Sequence, residues 1–161
     1  MLRIAFKVIA VLVLLFVGRL LFLNMNAQPR DTLASNSGRL APCPESPNCV
    51  SSLAERESQR VEALVLPGDP MRAFDQIVAI IESMRGARLV TVDQGYIHAE
   101  FSSRVFRFVD DLELLYDHSI PGFQVRSGSR VGRSDLGANR KRVEALRTNL
   151  AAANAETDAG E

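Results

Sequence analysis

The chain has 161 residues, 47% of them apolar, with 19 bases and 19 acids. That length allows one domain plus a short addition. Arg3, Lys7 and Arg19 fall in the first 23 residues, where no acid occurs; the remainder carries 16 bases against 19 acids and lacks the strongly basic face that nucleic-acid binding requires.

From Ile4 to Leu23 the chain is apolar apart from Lys7 and Arg19. These 20 residues make about 30 Å of helix, the thickness of a bilayer core. Arg19 is close enough to the far end to snorkel to the interface. Arg3 and Lys7 favour a cytoplasmic N-terminus. Two main readings fit residues 1–23, an uncleaved membrane anchor and a cleaved signal segment, with a buried core helix as the third. The anchor is preferred, because the nearest cleavage candidate ends at Ala27 and has Met25 where a small residue is needed. Both main readings export the rest of the chain. The expected location is the cell inner membrane, single-pass through residues 4–23, with the globular part on the periplasmic side.

Residues 24–40 are polar and without period, and read as a linker. Cys43 and Cys49 follow, with Pro44 and Pro47 bending the chain between them. In an exported domain the pair suggests a disulfide. Two free thiols are the alternative. Two sulfurs alone do not fill a zinc shell, so no metal is expected here; the rest of the sequence leads to no expected metal or cofactor either.

Residues 51–59 read as a polar connection and Val61–Leu66 as a strand. Asp69 before Pro70 reads as a helix cap. Met71, Phe74, Ile77, Val78, Ile81 and Met84 then recur at helical spacing, and Gly86 closes the helix. Two hairpins come next. Arg88–Val92 and Tyr96–Phe101 flank Asp93-Gln94-Gly95, and Val105–Tyr116 and Phe123–Val131 flank a connection through residues 117–122. A last helix starts near Ser134–Asp135, with Leu136, Val143, Leu146 and Leu150 on its apolar side. Residues 151–161 read as a disordered tail. The expected fold is α+β: an antiparallel sheet of about five strands with two helices packed on one face, in a domain spanning residues 41–150, preceded by one N-terminal transmembrane helix.

The chemistry-bearing stretch runs from Arg126 to Arg142, where a strand ends and a helix begins. Arginines beside a helix N-terminus can make an anion site. Asn139 falls between Leu136 and Val143 on the apolar side, so its amide needs partners. Strand alternation places Asp110 with Phe106, Phe108, Leu112 and Leu114, so its carboxylate needs one too. Arg130, Arg133 or Arg140 could supply it. The candidate polar or anion cluster is Asp110, Asp111, Arg107, Arg126, Ser129, Arg130, Arg133, Ser134, Asp135, Asn139 and Arg140. A structural salt-bridge network is its plainest reading; a site for a phosphate, carboxylate or acidic head group is the sharper one. His98 and Glu100 share one strand face and are expected at the surface. No catalytic residue is assigned, since neither a nucleophile elbow nor a phosphate loop is present. The function these observations favour is a non-enzymatic envelope domain binding an anionic small molecule or an envelope protein; an enzyme on small anionic or lipid-derived substrates is the alternative.

Three motifs together carry a resemblance. They are Cys43-Pro44 through Pro47-Asn48-Cys49-Val50-Ser51-Ser52, then Phe106-Arg107-Phe108-Val109-Asp110-Asp111, then Arg126 to Arg142. In these the chain resembles domain-of-unknown-function family 1499, from about Leu40 to Leu150. The resemblance implies a bacterial exported or membrane-attached protein, with relatives in plastids. It implies no activity.

Overall fold

A computed structural model describes residues 2–25, 38–65, 70–93 and 95–158. The expected cap Asp69, the turn residue Gln94 and most of the expected linker lie outside the described residues.

The apolar N-terminal run forms α1, Leu2–Met25. Within it Arg3–Phe22 is long and apolar enough to cross a membrane. The domain then runs β1 (Cys49–Ser51), β2 (Leu64–Val65), α2 (Pro70–Ser83), β3 (Ala87–Asp93), β4 (Tyr96–Ser102), β5 (Val109–Asp117), β6 (Gly122–Ser129) and α3 (Ala138–Asp158). A short 3-10 turn, Glu57–Gln59, lies between β1 and β2.

Among the described residues these strands pair antiparallel, in the order β1-β6-β5-β4-β3, with β2 also paired to β6; one isolated parallel bridge joins Ser51 to Arg60. β1 and β2 therefore divide one edge of β6 between them. Gly122 is where β2 comes closest: a Cβ there would lie 2.2 Å from the Leu64 carbonyl oxygen. Only glycine allows that approach.

One face of the sheet is the apolar core. Ile97, Ala99 and Phe101 of β4, Leu112 and Leu114 of β5, and Phe123 and Val125 of β6 pack with Ile77 and Ile81 of α2 and Val143, Leu146 and Leu150 of α3. The helical spacing read from the sequence is thus the buried stripe. Gly86, with φ +80°, ends the α2 region as expected. The fold is the expected two-layer α+β arrangement, with six strands in the sheet among the described residues.

Several boundaries differ from expectation, each for a local reason. β1 takes up Cys49–Ser51, which carry too short a run to show a period. β5 begins at Val109, because residues 103–108 close on themselves: Ser103 N donates to Phe108 O and Phe108 N to Ser103 Oγ. β6 ends at Ser129 rather than Val131. α3 begins at Ala138, and Leu136 stands before it, 89% exposed, with φ +53°. It is therefore no part of that helix's apolar side. α3 also continues past Leu150 to Asp158, so residues 151–158 are helical where a tail was expected. Their alanines favour helix without needing a core to pack on.

Candidate functional site

Asp110 and Asp111 are successive residues of β5, so the pleat sends them to opposite faces of the sheet. Asp110 stands opposite Phe101 and Ser129, on the helix side. Asp111 stands opposite Glu100 and Gly128, on the far side. The polar residues of the sequence motifs are divided accordingly.

On the helix side Asp110 accepts from Arg142 Nη2 at 2.7 Å. The partner is Arg142 of α3 rather than Arg130, Arg133 or Arg140. Arg142 lies one turn beyond Asn139 and so shares its face. Its Nη1 donates to Ser127 Oγ at 2.9 Å and to Asn139 Oδ1, and its guanidinium lies 4.5 Å from the centre of the Phe101 ring. That ring contact is a cation–π arrangement. Asn139, fully buried, has the partners its position demanded: its Nδ2 donates to Asn48 O and Ser129 Oγ, both at 3.0 Å, and its Oδ1 accepts from Ser127 Oγ at 2.8 Å. Asn48 joins the motifs: its carbonyl also accepts from Ser129 N, its Nδ2 donates to Gly132 O, and its Oδ1 accepts from Ser46. One amide thus ties the Cys loop to the β6–α3 connection.

On the far side lies an ionic network. Arg130 donates through Nε and Nη2 to Asp111 and through Nη2 to Glu100. Glu100 also accepts from Arg88, and His98 Nε2 donates to Asp111 Oδ1 at 2.8 Å. Beside this group Arg126 Nη1 pairs with Glu113 Oε2 at 3.0 Å, and Tyr96 OH donates to Glu113 Oε1 at 3.1 Å. The Arg126 and Glu113 side chains are 3% and 0% exposed, so this ion pair is fully inside the molecule. Arg126 Nε is buried with no hydrogen-bond partner. Leu40, Tyr96 and half-buried Leu115 form a small apolar cluster on this face. The Cys43–Cys49 disulfide, with Cα atoms 5.6 Å apart, meets the sheet at Gly128, whose Cβ position lies 3.2 Å from Cys49 Sγ.

The electrostatics follow the contacts. Burial opposes the charged form of Asp111, but the hydrogen bonds and charges of His98 and Arg130 outweigh it and hold its pKa below the ordinary carboxylate value. Glu100 is likewise lowered, with Arg130 and Arg88 overcoming burial. Arg130 is raised above its ordinary value, chiefly by its hydrogen bonds to Asp111. At the distant hairpin tip, hydrogen bonds from Gln124 and Ser119 lower Asp117 to about 2.

The remaining candidates sit at the end of the sheet where β6 leaves for α3. Asp135 caps α3: its carboxylate accepts from Asn139 N at 2.8 Å and Gly137 N at 3.1 Å. Ser134 accepts from Leu136 N at 3.3 Å. Arg107 and Arg133 are exposed, and Arg140 donates to Ser58 O at 2.9 Å. A cavity of about 330 Å³ opens here, lined by Ser103, Phe108, Asp110, Ser129, Val131 and Ala138 among others. Among the described residues no group of three His, Cys, Asp or Glu could hold a metal ion.

The expected single cluster is therefore divided by the sheet and its rim. His98 and Glu100, expected at the surface, are buried, because their partners Asp111, on the adjacent strand β5, and Arg130, just past the end of β6, lie on the same covered face. Sequence reasoning missed Asn48, Glu113 and Arg142. Arg142 was within reach of the helical period from Asn139. Glu113 was within reach of the hairpin register, which sets it opposite Arg126.

The model of a family described as "Protein of unknown function (DUF1499)" matches residues 39–150. No curated protein and no solved structure matches the chain.

Proposed function

The chain belongs to the DUF1499 family of proteins of unknown function, and from that premise we propose a membrane-anchored domain on the extracytoplasmic side that binds a small, largely apolar ligand and performs no chemistry of its own. The cavity at the β6–α3 end carries this reading. Its volume, about 330 Å³, lies at the lower end of the range for small-molecule sites. Its wall combines Phe108, Val131 and Ala138 with the serines 103, 129 and 134. The two carboxylates that reach it are already engaged: Asp110 with Arg142, and Asp135 with backbone amides. A ligand there meets hydroxyls and apolar surface rather than free charge.

This favours a neutral amphiphile over a phosphate or carboxylate. Arg126, Arg130 and Arg142 each face a carboxylate, which leaves them as structural cations. His98 is buried against Asp111 beneath the opposite face, which is a poor position for an accessible base. The apolar length of α1, the bases at its start and the Cys43–Cys49 disulfide support a single-pass anchor with the domain in an oxidising compartment.

The test uses the full chain in nanodiscs. Monohexanoyl glycerol, a short soluble amphiphile, is expected to raise the melting temperature of the wild type, whereas inorganic phosphate is not. Ala138→Trp, which fills the cavity from its exposed rim, should remove the response. A response that survives Ala138→Trp, or one given by phosphate alone, contradicts this site.

A further inference from the structure

We propose that the same end of the domain is a docking surface for an anionic phospholipid bilayer. The pairing of Asp110 with Ser129 makes residues 103–108 and 130–137 leave the sheet at one end, and both segments line the same cavity. Each presents large apolar side chains outward: Val105 is 77% exposed, Phe106 39% and Leu136 89%. Leu136 and Arg107 hold φ of +53° and +56°, a left-handed backbone that L-residues adopt only at a cost. A leucine held outward in such a conformation is not packing anything in the domain.

Arginines flank these apolar tips. Arg104, Arg107 and Arg133 are exposed on the same two segments, and Arg85 is exposed beside Gly86, where the β4 end at Ser102 meets the α2–β3 turn. Of the nearby carboxylates, Asp110 is held by Arg142 and Asp135 by the start of α3; Glu82, one turn back on α2, is exposed. The opposite end of the sheet has the reverse character, with Asp93 and Asp117 at the two hairpin tips. Apolar side chains that enter the acyl boundary, ringed by guanidinium groups at the level of the phosphates, are the chemistry of an interfacial membrane contact.

The chain itself holds that end near a bilayer. Residues 26–37 separate α1 from Gly38, and twelve residues span at most about 40 Å. Leu20, near the end of α1, lines the same cavity as Ser103 and Val131. This surface is independent of the cavity's occupant.

The experiment places an environment-sensitive fluorophore at Leu136→Cys in the full chain, labelled after the Cys43–Cys49 disulfide has formed, and in a parallel sample at His118→Cys on the opposite end. Each is reconstituted in nanodiscs of phosphatidylcholine alone or with added phosphatidylglycerol. The 136 probe is expected to shift to the blue and to be quenched by spin-labelled lipid, more so with phosphatidylglycerol; the 118 probe should do neither. Reversing Arg104→Glu with Arg133→Glu should abolish the gain from phosphatidylglycerol while the melting temperature stays near that of the parent. Equal, water-like emission at 136 and 118 in both lipids overturns the proposal. So does a 136 probe that ignores lipid but is protected when solubilised envelope protein is added, which would make this a protein-binding face. Insertion that is indifferent to lipid charge and to the reversal overturns the anionic specificity.

Discussion

Asp110 and Asp111 differ by one position and belong to two different environments. Asp110 ends the apolar face of the sheet, at the margin of the helix layer, and its ion pair with Arg142 remains 14% and 10% exposed. Asp111 lies on the ionic face, where the Asp111–Arg130 pair is 4% and 6% exposed and the neighbouring Glu113–Arg126 pair is more enclosed still. The difference shows that a covered sheet face need not be apolar. It can be filled by charges, provided each finds a partner on an adjacent strand. What such a face gains is geometric definition more than stability, since buried ion pairs roughly offset their own desolvation.

The comparison breaks most readily at Glu113. Glu113→Ala leaves Arg126 buried without its carboxylate, with Nε already unpartnered, and should cost about 3–5 kcal/mol. That is a large part of the stability of so small a domain. The double variant Glu113→Leu/Arg126→Met should recover most of the loss, because it removes the charge that was stranded. Asp110→Ala should cost less, about 1.5–3 kcal/mol, since Arg142 keeps water, Ser127 and Asn139 as acceptors and Phe101 as a ring partner. Urea unfolding followed by circular dichroism ranks the three. Equal losses at Glu113 and Asp110 would remove the distinction between the faces.

The disulfide should contribute about 2 kcal/mol, the value for so short a loop. Cys43→Ala/Cys49→Ala opens the cover over Gly128, so its effect should fall mainly on the ionic face. Hydrogen exchange of the β1 and β6 amides would then rise, while those of β3 stay protected.

The effect of acid is expected to be the smallest, because it appears only in a narrow range. Asp111 and Glu100 have lowered pKa values in the folded state. Below about pH 4 the unfolded chain takes up protons that these carboxylates refuse, so their contribution is intact above that range and is lost as the pH falls through it. Asp111→Asn should make the acid limb of the stability profile shallower. An unchanged limb would mean that Asp111 is not held as a carboxylate by Arg130.

Much of this architecture is legible in the sequence. The α2 stripe, both hairpins, the cap at Asp135, the need of Asn139 for partners and the Cys43–Cys49 pair follow from local rules. The ionic face does not. In β4, His98 and Glu100 alternate with Ile97, Ala99 and Phe101, and a strand with that pattern reads as half solvated. Nothing within β4 reports that Leu40 and the disulfide loop lie over the polar side, because those covers come from far away in the chain. The division of the arginine-rich cluster was hidden for a related reason. Sequence proximity groups Arg130 with Asp110 and Asn139, whereas the pleat and the β6–α3 connection send them to opposite faces.

Double-mutant cycles test that division most directly. If the sheet separates two networks, Asp110/Arg142 and Asp111/Arg130 should each show a coupling of about 1 kcal/mol or more, the range for residues in contact. The crossed pairs, Asp110/Arg130 and Asp111/Arg142, should be additive to within about 0.5 kcal/mol. Strong coupling between Asp110 and Arg130 would contradict the account and restore a single polar cluster.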